Sequence, residues 1–148
     1  MGRSLLIIGC GYAGREIARR MAEDGWHATG WVRSVESAAL LLSAGMTVVT
    51  GDVADADTWT NVPRTWDAVV YCAAGARGEP ERYRAIYADG VKQALAQLAK
   101  GTPFIFTSST AVYEQTDGGW VNEESETPGS LTTTRALLEG EARTLAAG

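Results

Sequence analysis

The chain has 148 residues, of which 45% are hydrophobic and 21% charged, which is ordinary for one globular domain long enough to bury a core. Its formal net charge of -5, without any run of Lys or Arg, argues against nucleic acid or an anionic membrane as a partner. No apolar stretch reaches the roughly 18 residues of a membrane-spanning helix, and two cysteines do not make a disulfide framework. The sequence therefore predicts a cytoplasmic protein, and it predicts no metal site.

The first predicted element is a buried strand that leads directly into a glycine loop. The predicted strand covers residues 4–9 with an apolar run from Leu5 to Ile8, a Gly-x-Gly-x-x-Gly pattern begins at Gly9, and residues 12–24 have a helical pattern. In this order of strand, tight turn and helix, the N–H groups and the positive end of the helix face a bound anion. The pattern predicts a site for the pyrophosphate of a dinucleotide; a glycine-rich turn without a ligand is the alternative.

Each glycine of this loop has a predicted role. Gly9 would make the turn, Gly11 would leave space for the pyrophosphate, and Gly14 would let the helix pack closely on the strand. The residues that we assign to the cofactor here are Gly9, Gly11, Tyr12, Ala13 and Gly14.

The rest of the chain alternates short apolar runs with helical patterns, which is typical of βαβ units. Right-handed crossovers then give a doubly wound α/β sheet (a Rossmann fold) of five parallel strands in the order 3-2-1-4-5, with its crevice at the carboxyl ends of strands 1 and 4. The other predicted strands are 27–32, 46–50, 67–72 and 103–108; the other predicted helices are 35–44, 55–61, 80–99 and 131–146, and 114–130 is a polar loop.

The end of the second strand bears on the choice of cofactor. A protein that prefers NAD usually places Asp or Glu there for the ribose hydroxyls, but this chain has Arg33 and Ser34. A guanidinium can form a bidentate pair with a 2′-phosphate, and a hydroxyl can add a hydrogen bond. The sequence thus favours NADP, with NAD possible and a solvated loop cation as the alternative for Arg33. Arg15 is a weaker second candidate.

Two further strand ends supply candidate cofactor contacts. Asp52 could accept from the adenine amino group, with Val53 against the ring; its alternative role is the N-cap of the next helical turn. The small residues that follow the fourth strand would leave room for the nicotinamide ribose, unless they only form a turn. They are Ala73, Ala74 and Gly75.

The fifth strand ends in Ser-Ser-Thr-Ala-Val-Tyr over residues 108–113. With the glycine loop, this segment resembles the extended short-chain dehydrogenase/reductase family, also called NAD-dependent epimerases/dehydratases. The resemblance covers most of the chain and also rests on Gly51-Asp52, Ala73-Ala74, Asn122-Glu123 and Pro128.

The resemblance implies a substrate-binding hydroxyl at Ser109 or Thr110 and a Tyr-x-x-x-Lys acid/base pair on the last helix. This chain departs from the pattern there, since Leu131 stands at the Tyr position and Arg135 at the Lys position. Arg does not deprotonate and Leu has no proton to give. The chain is most similar to an epimerase-like subgroup that also lacks the pair.

Other groups could substitute for the missing acid/base pair. Tyr113 could act as the acid, but packing beneath the site loop is favoured. The carboxylates of Glu114, Glu123 and Glu124 could act as a base, but a solvated acidic loop is favoured.

Neither the histidine nor the cysteines are expected to be catalytic. His27 falls between the first helix and the second strand, far from the crevice. Cys10 and Cys72 end adjacent strands, so a redox pair is conceivable, but small buried thiols are much more common at such places.

Family members continue through two more strands and a small carboxyl-terminal substrate domain. We therefore expect residues 1–148 to be a truncated NAD(P)-binding domain, and we expect a homodimer through the 80–99 and 131–146 helices. The predicted function is that of an NADP-binding oxidoreductase or epimerase acting on a nucleotide-sugar-like hydroxyl or carbonyl substrate. The alternatives are a catalytically incompetent NAD(P)-binding or redox-sensing module and a fragment without activity of its own.

Overall fold

The computed structural model describes residues 2–75 and 78–148. Five parallel strands form one sheet in the order β3-β2-β1-β4-β5, which confirms the predicted doubly wound Rossmann fold. The strands are β1 (Ser4–Ile8), β2 (His27–Val32), β3 (Thr47–Thr50), β4 (Ala68–Tyr71) and β5 (Phe104–Phe106). The helices are α1 (Tyr12–Glu23), α2 (Val35–Ser43), α3 (Ala56–Trp59), α4 (Pro80–Arg84), α5 (Gly90–Gln97) and α6 (Thr132–Ala147), with a π-helical segment at Ala85–Asp89 and a 3-10 turn at Thr110–Tyr113.

The central strand is buried on both faces because helices cover both sides of the sheet. Leu5 and Ile7 join a core with α1 and α2, whereas Leu6 and Ile8 join the core on the side of α3 and α5. Pairing of Ile8 with Trp31 and with Tyr71 brings the ends of β1, β2 and β4 to one level. The loops after these strands therefore meet at one edge of the sheet, where parallel sheets bind ligands.

The helix predicted over 80–99 is interrupted by a turn of π-helix. The Gly90 amide donates to the Ala85 carbonyl, five residues back, which leaves the Ile86 carbonyl without its helical partner. The buried Tyr71 hydroxyl donates to that carbonyl at 2.6 Å. A Cβ at Gly90 would lie 2.3 Å from the same hydroxyl, so glycine is required for this contact. The interruption follows from a tertiary hydrogen bond that helical periodicity cannot reveal.

The last helix closes the fold on the side of β5. Ala136 and Leu137 are fully buried against the π-helical segment and Val112, and they form a third apolar cluster. Among the described residues, no helix is both long enough and apolar enough to cross a lipid bilayer.

Candidate functional site

The glycine loop joins β1 to α1 through three glycines in different environments. Gly9 has a φ of 83°, and a Cβ there would lie 2.2 Å from the Ala73 Cα, so this turn requires glycine. A Cβ at Gly14 would meet the Ile7 side chain at 2.9 Å, which reflects close packing of helix on strand. A Cβ at Gly11 would meet nothing within 4 Å, because this position faces open space.

The amino end of α1 is suited to an anion. Its first turn contains no acidic residue, and no side chain of the described residues caps it. The first N–H groups of a helix lack intrahelical partners, and the helix dipole adds positive potential there. Tyr12 is 89% exposed beside this end. The open space at Gly11 and the uncapped amides of α1 together fit the pyrophosphate of a dinucleotide.

Two buried indoles hold the loop after β3. Trp31 Nε1 donates to the Gly51 carbonyl at 2.8 Å, and Trp59 Nε1 donates to the Val53 carbonyl at 3.0 Å. The two rings meet edge to face with centroids 4.5 Å apart. These two hydrogen bonds from the core therefore hold the backbone on both sides of Asp52.

Asp52 faces Arg82 of α4 across the site. The Arg82 guanidinium donates to Asp52 Oδ2 at 2.6 Å, and the Ala54 amide donates to Asp52 Oδ1 at 2.9 Å. Partial burial opposes ionisation, but these two hydrogen bonds and the charges of Arg82 and Arg33 hold the pKa of Asp52 below its usual range. The N-cap of α3 is Asp55, whose side chain accepts from the Asp57 amide, so the capping alternative for Asp52 is wrong.

The end of β2 presents one cation and one helix cap. Arg33 is exposed, and no hydrogen bond or ion pair joins its side chain to the described part of the chain. Ser34 is the N-cap of α2, and its hydroxyl oxygen accepts from the Ser37 amide at 3.1 Å. Ser34 thus already has a structural role beside the cleft.

These strand ends surround a single cleft of about 500 Å³. It brings together most of the residues predicted for the cofactor; Gly14 lies behind it in the packed helix, and Gly75 follows Ala74 with a φ of 141°. The described residues that line the cleft are Gly9, Gly11, Tyr12, Ala13, Trp31, Val32, Arg33, Ser34, Ser37, Gly51, Asp52, Val53, Cys72, Ala73, Ala74, Arg82 and Ile86.

The lining residues that sequence reasoning did not assign to the cofactor include Arg82 and Ile86. Both lie on the helical stretch after β4, Arg82 on α4 and Ile86 within the π-helical segment. A glycine at position 90, inside a helical pattern, is the only sequence signal of the irregularity that we can name.

The residues predicted for substrate chemistry do not line this cleft, although Tyr113 packs on an apolar cluster that includes the lining residue Ile86. Ser109, Thr110 and Tyr113 follow β5 around the 3-10 turn, and none of the three is among the described lining residues. The Ser109 hydroxyl oxygen accepts from the Ala111 amide at 3.2 Å, which caps the turn. Tyr113 packs on the third apolar cluster.

The acidic loop beyond is also held by local contacts. Glu114 has a left-handed backbone, and its carboxylate accepts from the Thr134 hydroxyl and from the Leu131 amide. Those hydrogen bonds keep the pKa of Glu114 below its usual value, opposite to the shift that a general base needs near neutral pH. Glu114 therefore ties the loop to the start of α6.

The two cysteines are free thiols, Cys10 buried and Cys72 partly so. Cys72 Sγ donates to the Gly9 carbonyl at 3.3 Å. Burial raises the pKa of each thiol to about 11, which disfavours the reactive thiolate. His27 is exposed and begins β2, at the amino end of the sheet, opposite the cleft.

Comparison with known proteins agrees with this geometry. A family described as NAD(P)H-binding matches residues 9–139. The chain belongs to this NAD(P)H-binding family. An uncharacterized protein of Schizosaccharomyces pombe is 32% identical over 146 residues, which cover 88% of this chain and 47% of that protein. This NAD(P)H-binding chain thus spans about half the length of the curated relative that it matches.

Solved structures show the same fold at low identity. A UDP-Glc/GlcNAc 4-epimerase from Campylobacter jejuni aligns with a TM-score of 0.81 at 20% identity, over 99% of this chain and 49% of the epimerase. A UDP-glucose-4-epimerase from Stenotrophomonas maltophila with bound NAD aligns with a TM-score of 0.77 at 22% identity, over 99% and 48%. A short-chain dehydrogenase/reductase superfamily protein from Agrobacterium tumefaciens with bound NAD aligns with a TM-score of 0.77 at 20% identity, over 94% of this chain and 43% of that protein. This likeness of fold agrees with the predicted resemblance to the extended family, and membership of the NAD(P)H-binding family indicates a nicotinamide dinucleotide as the cofactor.

Proposed function

We propose that this domain binds NADP(H) in the cleft, in preference to NAD(H). One observation carries the proposal: the glycine loop, the uncapped amino end of α1 and the exposed Arg33 all border one cleft. The end of β2 has no acidic residue beside Arg33. A carboxylate at that position would repel a 2′-phosphate, whereas a guanidinium attracts it.

The remaining contacts follow from positions around the cleft. The amides of Tyr12 and Ala13 would donate to the pyrophosphate, and Gly11 would leave room for it. Asp52 would accept from the adenine amino group, with Val53 against the base. The small side chains of Ala73 and Ala74, followed by Gly75, would border the nicotinamide ribose, and the Ser34 hydroxyl would assist Arg33.

Substitution of Arg33 tests the choice of cofactor. Calorimetric titration of Arg33→Met with NADPH and NADH should show about a tenfold loss for NADPH and little change for NADH, because one charge-assisted contact is removed. Arg15→Met tests the weaker second candidate in the same way: if Arg33 binds the 2′-phosphate, Arg15→Met should leave the NADPH/NADH affinity ratio unchanged. An unchanged NADPH/NADH affinity ratio in Arg33→Met would contradict the proposal.

For the whole protein, we propose an oxidoreductase or epimerase activity on a nucleotide-sugar-like hydroxyl or carbonyl compound. Nicotinamide, when bound, donates or accepts a hydride. The role left to this chain is to orient the substrate through Ser109 or Thr110, with Tyr113 as the candidate proton donor. Turnover of NADPH with a panel of nucleotide-sugar ketones tests this activity.

A binding module without catalysis is the second candidate. It is favoured by the Ser109 hydroxyl oxygen, which caps a turn, and by Tyr113, which packs on an apolar cluster. NADPH binding without turnover of any carbonyl compound is the expected result for this candidate, and steady turnover would exclude it.

Self-association remains a prediction for the helices of residues 80–97 and 132–147. Sedimentation velocity of the purified chain would give a dimer if these helices pair between copies, and a monomer at all concentrations if they do not.

A further inference from the structure

Arg82 is the one lining residue of the cleft whose side chain reaches across it to another predicted cofactor ligand. It lies on α4, after β4, while its partner Asp52 follows β3 at the far edge of the sheet. The side chains of Arg82 and Asp52 are 25% and 31% exposed, so the pair is only partly screened by solvent. An ion pair in this position is part of the wall of the cleft.

The pair retains hydrogen-bonding capacity toward the cleft. An ionised carboxylate has about four acceptor positions. The Ala54 amide uses one on Oδ1 and Arg82 uses one on Oδ2, which leaves one on each oxygen. Asp52 can therefore accept from a ligand without giving up Arg82.

Arg82 also decides which way the carboxylate faces. Without the guanidinium, Asp52 would keep only the local hydrogen bond to Ala54, two residues on in its own turn. With it, the carboxylate has a second partner on α4, since Arg82 donates to Oδ2 at 2.6 Å. The geometry makes the direction of this acceptor depend on Arg82.

We propose that Arg82 is a specificity-determining residue for the adenine base, acting by fixing the Asp52 carboxylate as an acceptor toward the cleft; this rests on the proposed binding of NADP(H). Adenine presents an amino donor at carbon 6, whereas hypoxanthine and guanine present a carbonyl acceptor there. A fixed carboxylate accepts a hydrogen bond from the amino group of adenine and repels the carbonyl oxygen of hypoxanthine or guanine. Arg82 thereby makes the cleft select a 6-amino purine.

The test compares NADPH with its hypoxanthine analogue, in which oxygen replaces the 6-amino group, by calorimetry. We expect the unmodified protein to bind NADPH about tenfold more tightly than the analogue, because a partly buried acceptor that faces another acceptor instead of a donor is disfavoured. Arg82→Met, which keeps the apolar stem, should reduce that ratio at least threefold. Arg82→Lys should retain most of it, because the charge remains.

Arg33→Met is the matched control on the same cleft. It should change the NADPH/NADH ratio and leave the adenine/hypoxanthine ratio unchanged, whereas Arg82→Met should do the reverse. Carbon-13 NMR of Asp52 in the ligand-free protein gives a readout without cofactor: its pKa should rise in Arg82→Met and stay low in Arg82→Lys.

The outcomes separate the two proposals. If the unmodified protein binds neither dinucleotide, the proposed function falls and this inference falls with it. Circular dichroism checks that Arg82→Met is folded. If NADPH binds and the folded Arg82→Met variant has the same NADPH/hypoxanthine-analogue affinity ratio as the unmodified protein, the proposed role of Arg82 is wrong and the proposed function stands.

Discussion

The loops after β1 to β4 and the segment after β5 both contain polar side chains, but these side chains have different partners in the two regions. In the first region, glycines and small residues leave space, and the side chains of Arg33, Asp52 and Arg82 meet around one cleft. In the second, Ser109 and Glu114 form hydrogen bonds to nearby backbone or to α6. The first region therefore has the space and the polar groups for a ligand, whereas the hydrogen bonds of the second stabilise its own loop.

The difference shows where binding energy can arise in this molecule. Open space bordered by uncapped amides can accept an anion without losing any protein contact. The Ser109 hydroxyl oxygen and the Glu114 carboxylate already accept hydrogen bonds from the chain itself, which uses part of their capacity. We therefore expect the stronger ligand binding at the cleft.

The largest expected effect separates two glycines of the same loop. Gly9→Ala should destabilise the fold by at least about 3 kcal/mol, because it combines a strained backbone with overlap on Ala73. Gly11→Ala should cost within about 1 kcal/mol, since its methyl group meets only open space, yet it should weaken NADPH binding strongly. Urea unfolding and calorimetry measure the two quantities. Equal stability of the two variants would break the comparison.

A second prediction concerns the wall of the cleft formed by the π turn. Tyr71→Phe should lower the free energy of unfolding by about 1–3 kcal/mol, because it leaves the Ile86 carbonyl unpaired in the core. Tyr83→Phe is the control: its ring stacks on Tyr87 with centroids 4.3 Å apart, and no hydrogen bond from its hydroxyl is found within the described ranges. Similar losses in both variants would show that the Tyr71 hydroxyl has no special role.

A smaller effect is expected where α6 meets α4. Arg84 donates to both carboxylate oxygens of Glu139, at 2.8 and 2.9 Å, and these bonds with the Arg84 charge lower the pKa of Glu139 despite partial burial. A lowered pKa stabilises the fold above the unfolded-state value near 4.5, and the contribution is lost as the pH falls through the folded-state value. Glu139→Gln should therefore cost at most about 1 kcal/mol at pH 7, since the pair is partly exposed.

Thermal unfolding across pH measures this contribution. The difference between the unmodified protein and Glu139→Gln should begin to shrink as the pH falls below 4.5 and should disappear below the folded-state pKa of Glu139. Glu141→Gln, on the same helix and with no ion pair to the described residues, should show no such pH dependence. A constant difference from pH 3 to pH 7 would contradict the assignment.

The smallest effect concerns the thiols. With pKa values raised to about 11, Cys10 and Cys72 should react slowly with iodoacetamide at pH 8 in the folded protein and rapidly in urea. Mass spectrometry after timed labelling checks this. Rapid labelling of either thiol in the folded state would restore the redox-pair reading.

The sequence predicted the strand order and the cleft because alternating strands and helices leave few topologies, and because all strand ends meet at one edge. It did not separate Asp52 from Asp55, since either aspartate could cap the following turn. It also missed Arg82, because the place of that side chain in the cleft depends on its ion pair with Asp52, a contact between parts of the chain 30 residues apart. Local pattern determines the framework here, and tertiary contacts complete the site.

The most direct test of the central claim is a titration of the nitrogen-15-labelled chain with NADPH, followed by amide NMR. The account predicts saturable shifts that concentrate at the strand ends of the cleft, including the amides of Gly11, Arg33, Asp52 and Ala73, while residues 114–130 change little. Shifts confined to residues 109–130, or none at millimolar NADPH, would contradict it.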